Sequence, residues 1–175
     1  MPIIQYDNDD VYQGEYDKIT KQRDGRGRII YSDGGVYDGL WKNNSSNGYG
    51  RLINGNSDCY IGEFKDGKRN GYGKFYSKNG KIHEGQWTND KREGIGLEKQ
   101  IDGSVYYGQW GNDMFQGVGV FKYKDRDIYL GQRKQGLPHG ILMFIPKNNA
   151  KQIEIRKYEY DKLIETLLMI DQAQN

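Results

Sequence analysis

The stretch YIGEFKDGKRNGYGKF, residues 60–75, decides how this chain reads. Tyr60, Gly62 and Phe64 have the period of two that puts side chains on one face of a strand. Gly71, Gly73 and Phe75 repeat it after the six-residue stretch KDGKRN. Strand, short loop and strand make an antiparallel hairpin. The stretch is also rich in glycine and cations, as a phosphate-holding loop would be. Such a loop needs Gly-Lys-Ser/Thr opening a helix, whereas Gly73-Lys74 is followed by Phe75 and a strand pattern.

The same pattern occurs six times. Units start at Tyr12, Tyr37, Tyr60, His83, Tyr106 and Tyr129, the first step being 25 residues and the next four 23. Each carries a later Gly-x-Gly, at Gly25, Gly48, Gly71, Gly94 and Gly117, and the sixth keeps only the first glycine, Gly140. Steps this short allow only antiparallel neighbours, since a parallel crossover needs about a dozen residues or more. Turn glycines Gly34, Gly80 and Gly103 link successive hairpins. The expected fold is all-β: a single-layer antiparallel meander of about twelve strands in six hairpins, at two strands each. It occupies residues 12–146, with a lead-in at 1–11 and a cap at 147–175.

A single layer explains the glycines. Gly14, Gly39, Gly62, Gly71, Gly73, Gly85, Gly94, Gly96, Gly108, Gly117 and Gly119 read as structural positions where a ring settles against bare backbone. Before each repeat aromatic stands a small or β-branched apolar residue: Val11, Val36, Cys59, Ile82, Val105 and Ile128. Cys59 therefore reads as a structural thiol in a valine slot.

Composition agrees. There are 25 glycines against two alanines, Ala150 and Ala173, which argues against helices. Fifteen tyrosines supply apolar area that also tolerates water. The net charge of +2 gives no strong pull towards nucleic acid, and none is expected as a partner. One cysteine, no signal-like start and no apolar run near 20 residues point to a cytoplasmic protein, neither secreted nor membrane-spanning.

With six copies in register from Tyr12 to about Ile145, the chain resembles the MORN-repeat family, the membrane occupation and recognition nexus motif. The resemblance implies a curved single-layer sheet serving as a non-enzymatic scaffold or adaptor, in cytoskeletal or ciliary settings by family habit. Phospholipid binding is also sometimes assigned to the repeat. There are departures: His83 replaces a tyrosine, Arg133 an aromatic residue, Leu142 a glycine, and Glu98 stands where Phe75 and Phe121 predict an apolar residue.

Two surfaces are candidates for binding. Tyr37, Trp41, Tyr60, Phe64, Trp87, Tyr106 and Trp110 line one side of the ribbon, with ring edges expected to stay available to an extended segment or helix of a partner protein. Alternatively, the hairpin-loop cations Lys21, Arg23, Lys65, Lys68, Arg69, Lys91 and Arg92 form an edge that could meet anionic phospholipid or phosphoinositide. No catalytic, cofactor or metal constellation is expected. His83 and His139 lack ligand spacing, and the acidic run DNDD at 7–10 lacks the glycine and distal glutamate of a calcium loop. In the tail, Leu163, Ile164, Leu167 and Leu168 at helical spacing suggest a short amphipathic helix over the last sheet edge, with a final strand as the alternative.

Overall fold

After the first repeat, whose loop runs over residues 17–22, the hairpins form through two-residue turns. In the computed structural model, which describes residues 3–149 and 151–171, Asn43-Asn44, Asp66-Gly67, Asn112-Asp113 and Gln135-Gly136 all have positive φ at both positions. That is the geometry of a tight hairpin turn matching the twist of its strands, which Asn, Asp and Gly adopt at least cost. The loop in residues 60–75 is thus Asp66-Gly67 alone, and Lys65 and Lys68 already belong to strands. The six-residue loop expected there is corrected: the turn needs two residues, and the rest pair.

The chain divides into two compact units, with the boundary between Lys91 and Arg92. The first holds β1 (Ile3–Gln5), β2 (Val11–Tyr16), β3 (Arg23–Ile30), β4 (Val36–Lys42), β5 (Ser45–Ile53), β6 (Cys59–Lys65), β7 (Lys68–Tyr76) and β8 (Ile82–Thr88). Each pairs antiparallel with the next. The second holds β9 (Lys91–Lys99), which starts at the boundary, β10 (Val105–Gly111), β11 (Met114–Lys122), β12 (Ile128–Lys134), β13 (Leu137–Ile145), β14 (Gln152–Glu159) and β15 (Lys162–Asp171). It is a meander of the same kind. The described residues contain fifteen strands and no α-helix.

The tail is a correction. Residues 162–171 form β15, paired with β14 through two register shifts, and all ten are exposed. Helical spacing of leucines does not suffice when a hairpin turn, Tyr160-Asp161 with φ of 44° and 70°, feeds the segment straight back along an open strand. Positions 1–2, 150 and 172–175, in the expected lead-in and cap, lie outside the described residues.

The repeat motif is explained at its bulge. In hairpin β6–β7, Gly62 pairs with Gly73 and Phe64 with Arg69, so Glu63 alone stands opposite Asn70, Gly71 and Tyr72, and the extra residues are on β7. The Tyr60 ring lies over the glycine pair, and its hydroxyl donates to the Glu63 carbonyl at 3.1 Å. The Glu63 carboxylate in turn accepts from the Tyr72 amide at 2.9 Å. A Cβ on Gly73 would stand 2.2 Å from the Tyr60 hydroxyl oxygen, and one on Gly62 would stand 2.4 Å from the Gly73 Cα. Tyr12, Tyr37 and Tyr106 make the same bond to the carbonyls of Glu15, Leu40 and Gln109 at 2.8–2.9 Å. Tyrosine serves better than phenylalanine here because the bulge leaves a carbonyl that the ladder does not satisfy.

Candidate interaction surfaces

Strand alternation gives each unit two faces. On the aromatic face, the seven residues expected to line a groove are all buried. Tyr106 is 0% exposed, Tyr37 1%, Tyr60 2%, Phe64, Trp87 and Trp110 4% each, and Trp41 5%. Within each unit the rings meet edge to face with centroids 5.0–5.6 Å apart. The expectation that ring edges stay open is therefore corrected, because something covers them.

Over the three tryptophans the cover is a set of arginines. The guanidinium of Arg23 lies 4.2 Å from the Trp41 ring, that of Arg69 4.4 Å from Trp87, and that of Arg92 4.3 Å from Trp110. Each is held by the turn 21 residues further on. Arg69 donates from Nε to Asp90 Oδ1 at 3.1 Å and from Nη2 to the Asp90 carbonyl at 2.9 Å. Arg92 does the same with Asp113, and the Arg23 Nη2 reaches the Asn44 carbonyl. A backbone bond completes each clamp, from the turn amide to the arginine carbonyl, at 3.0, 3.0 and 3.2 Å. Where the arginine position holds Ser46 or Phe115, the turn position is Gly67 or Gly136 and only the backbone bond remains.

The clamps change the reading of the basic edge. Of the seven cations proposed for it, Arg23, Arg69 and Arg92 turn back over tryptophan, where cation–π attraction and charge-assisted hydrogen bonds hold them. The side chains of Lys21, Lys65, Lys68 and Lys91 remain on the surface. The lipid-facing assignment of the three arginines is thus corrected. Arg92 also explains Glu98. That carboxylate is 1% exposed on the aromatic face, and the Arg92 guanidinium pairs with it.

Burial pushes the tyrosine hydroxyls of this face upward. Tyr12 and Tyr106 are raised to about 12, in each case chiefly by desolvation and against the lowering pull of an arginine, Arg23 or Arg133. Tyr37 and Tyr60 are raised further by the same cause.

Sequence reasoning missed the reverse face. The middle residue of each Gly-x-Gly points there: Arg26, Tyr49, Tyr72, Ile95, Val118 and, in the sixth unit, Ile141. Tyr49 is 59% exposed and Tyr72 53%. The 23-residue step was visible, but alternation assigns these residues to the side opposite the buried rings. One register row beyond them the units differ. In the first unit, Arg28, Asp38, Arg51, Ile61, Lys74 and Glu84 stand side by side across β3–β8. Ion pairs join Arg28 to Asp38 at 2.6 Å and Lys74 to Glu84 at 3.0 Å. In the second unit the equivalent row is Leu97, Tyr107, Val120, Leu130, Met143, Ile155 and Leu168, across β9–β15. No charge interrupts it.

The repeats can now be compared with known families. A model of the MORN repeat matches residues 21–36, 37–59, 60–82, 83–105 and 106–128 in unbroken succession. The chain belongs to the MORN-repeat family. Four of the five matches begin at the aromatic residues that open the hairpins, Tyr37, Tyr60, His83 and Tyr106, so the MORN unit is the hairpin with its bulge, its glycine pair and its linking turn. No curated protein sequence matches the chain. Among solved structures, this MORN-repeat chain is similar in fold to the TCP domain of Drosophila melanogaster SAS-4 (dCPAP) in complex with a proline-rich motif of Ana2 (dSTIL). The TM-score is 0.54 at 13% identity, covering 89% of this chain and 83% of that one. The TCP10c domain of Drosophila melanogaster Sas-4 gives 0.50 at 12% identity, covering 89% and 91%. These likenesses are of fold. Among the described residues, no helix is long and apolar enough to cross a membrane, and no three His, Cys, Asp or Glu side chains group as metal ligands.

Proposed function

We propose that this MORN-repeat protein is a non-enzymatic scaffold that takes an extended segment of another protein on the exposed reverse face of its sheet. A cytoskeletal or ciliary assembly is the setting that the family suggests. The observation that carries the reading is the division of the two faces. In the first unit the aromatic face buries its rings, with arginine clamps over Trp41 and Trp87, while the most exposed rings, Tyr49 and Tyr72, stand on the reverse. There Tyr49 and Tyr72 stand on two successive hairpins, about 9.6 Å apart at two strand spacings. An extended polyproline-type segment repeats every three residues, about 9.3 Å, and docks on aromatic rows with little ordering cost. The SAS-4 domain of similar fold is described in complex with a proline-rich motif, which supports an extended ligand here.

The test places a photo-crosslinking amino acid at Tyr72 and, as a control, at the buried Trp87. The tagged protein is then exposed to extract of the source cells. A discrete protein product from position 72, competed by a proline-rich peptide, is the expected result. The competing reading is an anionic membrane met by Lys21, Lys65, Lys68 and Lys91. Flotation only with vesicles containing anionic lipid, together with no product at position 72, would overturn the scaffold in its favour.

A further inference from the structure

We infer that the reverse face of the second unit is a separate docking surface, built for one amphipathic helix of another protein with acidic residues along one flank. The surface is the uninterrupted apolar row from Leu97 on β9 to Leu168 on β15. Leu97 and Leu130 are each 39% exposed, Tyr107 56% and Leu168 52%. Seven adjoining strands make a row about 29 Å long, with a side chain every 4.8 Å or so. Monomeric proteins rarely leave so continuous an apolar surface to water without a use for it.

The spacing selects the occupant. A helix presents side chains on one face at intervals of three and four residues, about 4.5 and 6 Å, so it can meet every rung, and about 19 residues span the row. A β-strand offers same-face side chains about 6.7 Å apart, out of step with the rungs. A polyproline segment offers one about every 9.3 Å and leaves alternate rungs bare. The first unit, with an exposed tyrosine on each of two successive hairpins, suits that longer period; the second does not.

Charge and area narrow it further. In the next register row, Lys99 and Lys122 stand on either side of Val105, about 9.6 Å apart. Both are exposed and match acidic residues two helical turns apart on one flank of the incoming helix. The row with one neighbouring row on each side covers about 400 Å², from about 29 Å by about 14 Å. A stable interface with a second copy needs about 800 Å² from each partner, so a sheet-on-sheet dimer is a poor fit.

The probe is a synthetic 19-residue peptide with leucines along one face and glutamates on one flank. Controls are the same peptide with lysines on the flank and a proline-rich peptide of equal length. Binding to the full chain is followed by fluorescence anisotropy and by the helicity the peptide gains. The acidic peptide should bind and become helical, and the basic control should bind about tenfold more weakly. Leu130→Lys should weaken the acidic peptide about tenfold or more, and Tyr72→Lys should leave it unchanged. Leu130→Thr, gentler on a strand, serves if Leu130→Lys lowers the melting temperature. Equal binding of the two helical peptides, or indifference to Leu130, would overturn the inference. So would Leu130-dependent dimerisation or Leu130-dependent flotation with anionic vesicles. If the acidic peptide binds only through Tyr72, this surface is refuted and the scaffold stands; if crosslinking at Tyr72 fails while the peptide still needs Leu130, the reverse holds.

Discussion

The two units share one face and differ in the other. On the aromatic face, Arg69 over Trp87 in the first unit and Arg92 over Trp110 in the second are nearly superimposable in chemistry: ring distances of 4.4 and 4.3 Å, and the same aspartate clamp. On the reverse face, the row that is Arg28, Asp38, Arg51 in one unit is Val120, Leu130, Met143 in the other. The difference separates two requirements. Tyrosine, glycine pair and clamp make the hairpin stand, so they recur. The outward residues of this row lie outside that motif, so they can be set by whatever each surface meets.

The largest effect should come from the shared face and be equal in both units. Trp87→Ala and Trp110→Ala each remove a buried ring and strand an arginine, and each should cost about 3–5 kcal/mol in denaturant unfolding. With only three tryptophans in the chain, Trp110 is the sole tryptophan reporter of the second unit. A cost below about 1 kcal/mol for either variant would mean that the rings do not hold that unit.

Next in size is a difference within the clamps. Arg69→Ala loses a cation–π contact and bonds to an aspartate that is 46% exposed, a cost of about 1–2 kcal/mol. Arg92→Ala also takes away the guanidinium that compensates Glu98, whose side chain is 1% exposed. It should cost about 3 kcal/mol or more. Unfolding of the two variants side by side checks this, and equal costs would show that Glu98 is compensated by other means.

Alkaline titration should also separate the units. Burial raises Tyr12, Tyr16, Tyr31, Tyr37 and Tyr60 in the first unit but only Tyr106 and Tyr129 in the second. A raised tyrosine keeps its proton when folded and loses it near pH 10 when unfolded. The unfolded state then binds fewer protons, so the stabilisation is complete below about pH 10 and is lost as pH rises through the folded values, about 12 for Tyr12 and Tyr106. Circular dichroism with Trp110 fluorescence as a local reporter should show the first unit failing earlier. Simultaneous loss would show that the tyrosine count does not decide it.

Much of the fold was legible because its determinants are local. A 23-residue step and period-two alternation name the hairpin, and Tyr60, Gly62 and Gly73 lie on the face the pattern assigns. The arginine clamp was not legible from any one repeat. It joins residues 21 positions apart in successive turns, and only the exchange of Asp90 and Asp113 for Gly67, in step with the exchange of Arg69 and Arg92 for Ser46, hints at it. The openness of the aromatic face was misread for a related reason. Aromatic residues attract attention as binding groups, but in a single-layer sheet they are the core, and the surface is made by quieter residues such as Leu97 and Leu130. The tail misled because Leu163, Ile164, Leu167 and Leu168 satisfy a helical spacing while the turn before them enforces a strand.

The smallest effect tests whether the charged row of the first unit is as free as the comparison implies. The Arg28 and Asp38 side chains are 54% and 37% exposed, and those of Lys74 and Glu84 are 38% and 39% exposed. Exposed pairs of this kind contribute about 0–1 kcal/mol, because water screens the attraction and ordering two long side chains costs entropy. Arg28→Ala and Lys74→Ala should therefore each shift unfolding by less than about 1 kcal/mol, and the shift should shrink in 1 M salt, where the screening length falls to about 3 Å. Exchanging Arg28 and Lys74 together for leucine should be tolerated equally well and leave tyrosine-face spectra unchanged, while giving the first unit part of the second unit's apolar surface. If that double variant unfolds, the outward row carries hairpin stability after all, and the contrast between the units reflects folding rather than partners. If it folds and the acidic helical peptide gains a second, weaker site on it, the row alone makes the surface.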